Sequence, residues 1–106
     1  MDKKELQRQF HDCMPLFIAL GDEVRLTIIE ALTDDIPNGR DGLNVKEITE
    51  KTNLSRPAIS HHLKILKDAG LVRARKAGTA NYYYLTIRDN TRQLMNLGNG
   101  LQHFLE

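Results

Sequence analysis

Residues 51–76 carry Lys51, Arg56, Lys64, Lys67, Arg73, Arg75 and Lys76 against Asp68 alone, a local balance of +6, with His61 and His62 among them. Side chains of this kind suit a polyanion. Lysine and arginine neutralise phosphates, and arginine, serine and histidine can also bond to base edges. Residues 1–50 hold 6 Lys/Arg against 11 Asp/Glu and residues 77–106 balance, so the net charge of +1 hides a strong segregation. Catalytic chemistry is poorly supplied by comparison. The 4 histidines and the single cysteine, Cys13, do not gather with an acid and a nucleophile at useful spacing, and Asp34-Asp35 reads as a solvated loop pair. Neither an enzyme nor a bound cofactor is expected. Because a charge run can be only a solvated face, the elements that carry it decide its meaning.

Those elements are legible. Asn44 stands three residues before Glu47, a capping box that opens a helix over 45–51. Ser55 caps the next, 55–69, with Pro57 in its first turn and Gly70 as its left-handed terminator. Two helices joined by a short turn, the second basic, make a helix-turn-helix over 45–70. At about 100° per residue Ile59, Leu63 and Leu66 share one narrow side of the second helix. Arg56, Pro57, Ser60, His61, Lys64, Lys67 and Asp68 fall on the other, and His62 lies at the edge of the apolar stripe as a structural histidine. Such a helix suits the major groove. Arg56, Pro57, Ser60 and His61 are expected at base edges, with Ser55, Lys64 and Lys67 at phosphates.

After Gly70 the period shortens to that of a β-hairpin over about 71–87, with a basic first strand and a turn within 76–79 whose register stays open. Arg73, Arg75, Lys76 and Thr79 are expected at the DNA backbone, with Asn81 a weaker polar candidate. Alternation sends Tyr83 to the opposite face from Tyr82 and Tyr84, mostly as hairpin packing. Upstream, an apolar stripe of Leu6, Phe10, Cys13, Met14 and Phe17 predicts a helix over 4–20. Pro15 either kinks it or enters the first turn of a fresh helix capped by Asp12. A helix over 22–33 capped by Asp22 follows, then a loop over 33–42. The last helix, 88–104, carries Leu94, Leu97, Leu101 and Phe104. Gly98 and Gly100 weaken it, and close helix–helix approach would explain them.

Three stretches carry a family resemblance: Ala19-Leu20-Gly21-Asp22-Glu23-Val24-Arg25-Leu26-Thr27-Ile28-Ile29, then Leu54-Ser55-Arg56-Pro57-Ala58-Ile59-Ser60-His61-His62-Leu63-Lys64-Ile65-Leu66-Lys67-Asp68-Ala69-Gly70-Leu71-Val72, and Arg73 to Leu85. Together they resemble the ArsR/SmtB family of winged-helix transcriptional repressors. The resemblance implies a mainly α fold with a β-hairpin wing, a single winged helix-turn-helix domain over 1–106. It also implies a homodimer joined through 1–20 and 88–106, with two recognition helices on a palindromic operator. The apolar residues Leu6, Phe10, Cys13, Met14, Phe17, Leu94, Leu97, Leu101 and Phe104 would form that interface. Many such proteins leave DNA when metal binds. At the matching positions this chain has Asn44 and Lys46 where a Cys-x-Cys would stand, and Thr91 where Asp89 would be followed by histidine. Asp89, His103 and Glu106 remain as an incomplete ligand set, so no metal is expected.

The chain is therefore expected to be a dimeric, sequence-specific DNA-binding regulator, a repressor released from its operator by an unidentified signal. Its partners would be double-stranded DNA and a second copy, with no membrane. The lone cysteine and the lack of an apolar leader point to the cytoplasm. One alternative is a winged-helix interaction module without sequence-specific DNA binding. Another is a thiol-responsive repressor using Cys13, although His11, two residues away, does not share its helix face.

Overall fold

The computed structural model describes residues 2–34, 42–86 and 88–106, with the side chains of 88 and 89 outside the description. The loop expected over 33–42 lies mostly outside the described residues. In chain order the elements are α1 (Lys3–Asp12), α2 (Met14–Leu20), α3 (Glu23–Thr33), α4 (Val45–Thr52), α5 (Arg56–Asp68), β1 (Val72–Ala77), β2 (Ala80–Leu85) and α6 (Arg88–Leu105).

Local chemistry sets most boundaries. Asn44 and Glu47 close the expected capping box, and the backbone turns left-handed at Asn53 (φ 59°) to part α4 from α5. The Ser55 hydroxyl accepts from the Ala58 amide, and α5 ends where Gly70 reaches φ +78°. There the Leu71 amide donates to the Leu66 carbonyl at 2.9 Å and the Gly70 amide to Lys67 at 3.0 Å, the paired bonds of a Schellman ending. The expected helix over 4–20 is two helices. The break falls at Cys13, one residue before Met14 and two before Pro15, which lacks the N–H a continuous helix would need. Asp12 is therefore not the cap; it is the last residue of α1, and Cys13 opens α2 without a side-chain bond.

The hairpin turns on Gly78 and Thr79, with Ala77 paired to Ala80 and Gly78 at φ +64°. A glycine first in a two-residue loop is what a II′ hairpin asks for. Tyr83 and Leu85 pack toward the core, while Tyr82 and Tyr84 share the outer face with Arg75 and Arg73, their cross-strand partners.

Apolar burial falls into two separate groups. The larger holds Leu16, Ile28, Leu32, Leu43, Ile48, Ile59, Leu63, Leu66, Leu71 and Val72, drawn from α2 through β1. The smaller is a seam between α1 and α6 made by Leu6, Cys13 and Leu97, with Leu101 against it. Gly100 is buried on α6, whereas Gly98 has open space around it. Close packing within the chain accounts for neither the position nor the cost of Gly98. The molecule measures 50 × 26 × 20 Å with a radius of gyration of 15.9 Å. A compact chain of this length would have about 13 Å.

Candidate nucleic-acid interface

Helix α5 is sharply two-sided. Ile59, Leu63 and Leu66 are buried, while Ser55, Arg56, Pro57, Ser60, His61, Lys64 and Lys67 are all exposed. Arg73, Arg75, Lys76 and Thr79 are exposed on the hairpin, and the Arg75 guanidinium lies over the Tyr82 ring at 5.2 Å. That stacking steadies a long cation on the wing's outer face. Each expected groove-facing and backbone-facing residue is thus exposed on α5, its cap or the wing, and Arg56 and Thr79 line one cleft.

His62 has the structural place expected of it, and its partner is one the sequence reading did not single out. The Arg25 Nε donates to the Ala19 carbonyl at 2.6 Å and Nη2 to the Ile18 carbonyl at 3.1 Å, so the guanidinium ties off the end of α2. Its Nη1 lies 3.3 Å from His62 Nδ1. Arginine has no acceptor, so this contact is a hydrogen bond when the ring is neutral with its proton on Nε2, leaving Nδ1 to accept. The His62 ring then meets that of His61 edge-on, with centroids 5.2 Å apart. Arg25 belongs to the Ala19–Ile29 signature, but its long reach across 37 positions to His62 leaves no local trace in a sequence.

Asp22 completes this bracket by accepting from the Val24 and Arg25 amides at 2.9 and 3.1 Å. Its carboxyl titrates below the ordinary 3.8. The Arg25 amide is the main cause, opposed by partial desolvation and aided by the Arg25 guanidinium, the Val24 amide and His62. A carboxyl lowered on folding contributes stability above its unfolded value and loses it as pH falls through the folded one. Asp22→Asn, which keeps a capping oxygen but cannot titrate, is expected to flatten the acid limb of stability between about pH 5 and about pH 2. Urea midpoints across that range measure it; an unchanged acid limb would remove Asp22 as a contributor.

The wing is also tied to α4, which the sequence did not announce. Leu43 and Tyr83 exchange two backbone hydrogen bonds, 2.9 Å from the Leu43 amide and 2.8 Å from the Tyr83 amide. The preceding Gly42 has φ +104°, and a Cβ there would collide with the Tyr83 carbonyl. Above this bridge lies a cleft of about 330 Å³ between the first turn of α4, Arg56 and the wing tip.

The expected interface residues divide. Leu6, Cys13 and Leu97 are buried against each other within the chain and Leu101 is half-buried, whereas Phe10, Met14, Phe17, Leu94 and Phe104 are exposed. His103 and Glu106 are exposed at the end of α6, and the Asp89 side chain is outside the described residues. Among the described residues, no three His, Cys, Asp or Glu side chains gather as a metal site. No described helix is long and apolar enough to cross a membrane.

Residues 22–74 match the sequence profile described as "Bacterial regulatory protein, arsR family". An uncharacterized HTH-type transcriptional regulator of Methanocaldococcus jannaschii is 38% identical over 89 residues, spanning 84% of this chain and 93% of its own. The transcriptional repressor SdpR of Bacillus subtilis is 34% identical over 90 residues, 85% of this chain and 89% of that protein. The crystal structure of the transcriptional regulator HlyU from Vibrio vulnificus superposes with a TM-score of 0.72 at 29% identity, covering 93% of this chain and 97% of that one.

Proposed function

The chain belongs to the arsR family of winged helix-turn-helix transcriptional regulators, and from that premise we propose that it is a non-catalytic, homodimeric repressor. It binds a specific operator in the cytoplasm and leaves it on a signal still to be identified. The observation that carries this reading is the sidedness of α5, apolar where it meets the core and basic where it meets solvent. Pro57, Ser60 and His61 face base edges, Arg56 stands where the helix front meets the wing, and Ser55, Lys64 and Lys67 face phosphates. On the wing Arg73, Arg75, Lys76 and Thr79 hold the backbone. Repression is taken from the name of the B. subtilis relative.

Dimerisation is supported by shape and surface together. The molecule is more extended than a compact chain of its length, and α1, α2 and α6 leave Phe10, Met14, Phe17, Leu94 and Phe104 in water. A thiol signal through Cys13 has less support. That side chain is 1% exposed in the α1–α6 seam, where it packs as a small apolar group.

The test begins with a duplex selected from a random pool and titrated at two salt concentrations. Binding should fall steeply with salt, with a log–log slope of about −0.9 per phosphate neutralised. Arg73→Gln should weaken selected and random duplexes alike and flatten that slope. His61→Ala should instead narrow the gap between them by about 1–3 kcal/mol. Absent or salt-insensitive binding would refute the assignment.

A further inference from the structure

We propose that the cleft between α4 and the wing tip is a phosphate seat, in which Lys46 and Arg56 hold one DNA backbone phosphate beside Thr79 and Asn81. The inference rests on the DNA-binding reading above and adds to it a site and a residue, Lys46, that the charge block of 51–76 does not contain.

Position comes first. If α5 lies in the major groove and the wing tip approaches the neighbouring minor groove, the strand separating the grooves must pass between them. The space between them is this cleft, with Arg56 on one side, Thr79 and Asn81 on the other, and Lys46 at the α4 wall. Its chemistry fits a phosphate: two cations for the charge, and a hydroxyl and an amide for the oxygens. The seat is made by side chains rather than by a helix end. The Asn44 side chain already accepts from the Glu47 amide at 2.8 Å, and Glu47 accepts in turn from the Asn44 amide at 3.1 Å.

The cleft is also built rather than incidental. The two Leu43–Tyr83 backbone bonds join the α4 wall to the wing at its base, and Gly42 is required for that approach. Its walls are thereby fixed before DNA arrives, so little ordering cost falls on binding. In this reading Arg56, expected from the sequence at a base edge, contacts the backbone.

Methylphosphonate substitution, which neutralises one linkage at a time, tests the assignment on the selected duplex. For the unmodified protein one linkage between the grooves of each half-site should cost roughly tenfold or more in affinity. In Lys46→Gln, an exposed change on the surface of α4 that leaves Arg56 in place, that cost should shrink while the others persist, and the salt slope should fall by up to about 1.8, for one phosphate in each of the two half-sites. Lys51→Gln on the same helix, whose ammonium lies 3.8 Å from Asp34, should leave the whole scan unchanged. A Lys46→Gln scan identical to the parent's would overturn the proposal. Titration with inorganic phosphate, read on the Lys46, Thr79 and Asn81 amides, separates DNA from a free oxyanion. Saturable shifts together with an unaltered linkage scan would give the cleft to the free ion and overturn its assignment to DNA. Failure to select any duplex would instead refute the DNA-binding reading itself.

Discussion

Leu94→Glu is expected to yield a folded monomer whose affinity for the full operator falls by about 100-fold or more. Leu94 is 43% exposed, so replacing it removes little from the subunit's own packing. In the proposed dimer, however, the new carboxylate would be driven into an apolar contact. Two linked recognition helices gain from effective concentration once one is seated, and a monomer forfeits that gain. Gly98 belongs to the same expectation. It costs α6 about 1 kcal/mol relative to alanine, and open space surrounds it on the side of the helix near Leu94 and Leu105. A partner helix in close approach would give that glycine a purpose. Sedimentation of Leu94→Glu alongside its circular dichroism decides the matter: a stable dimer, or an unfolded chain, would count against this interface.

Ile59→Ala is expected to lower stability by about 2–5 kcal/mol, against a total of roughly 5–15 kcal/mol for a domain. Ile59 is 0% exposed and packs with Leu63 and Leu66 under α5, so truncation leaves a cavity where the recognition helix meets the main core. Ser60→Ala, one position along, removes an exposed hydroxyl and should shift stability by no more than about 0.5 kcal/mol. Urea denaturation of the two variants separates the roles. The first should show an earlier midpoint with an unchanged slope. The second should show neither change while altering DNA discrimination. Similar losses of stability would mean that α5 is not sided as described.

What could be read without a structure was whatever is written within one turn or one pleat. The capping box of Asn44 and Glu47, the Ser55 cap, the Gly70 ending and the apolar back of α5 depend on residues three or four apart. Their chemistry is therefore visible as spacing. So is the segregation of Tyr83 from Tyr82 and Tyr84, because a strand alternates. The break at Cys13 was legible only in part: Pro15 announced trouble, but choosing between a kink and two helices depends on which backbone bonds survive.

The rest depends on approach between distant segments. Nothing local in the sequence pairs Arg25 with His62 or Leu43 with Tyr83, since those contacts exist only once α2, α3, α4, α5 and the wing have packed. Periodicity marked the apolar stripes of residues 6–17 and 94–104 only as faces that avoid water, and the family resemblance made them an interface. Packing divided them, giving Leu6, Cys13 and Leu97 to a seam within the subunit and leaving Phe10, Phe17 and Leu94 outside. Periodicity specifies which side of a helix avoids water, because the backbone fixes the angle between successive side chains. Which surface covers that side is decided by tertiary geometry, because burial is non-directional and any apolar neighbour at the right distance satisfies it.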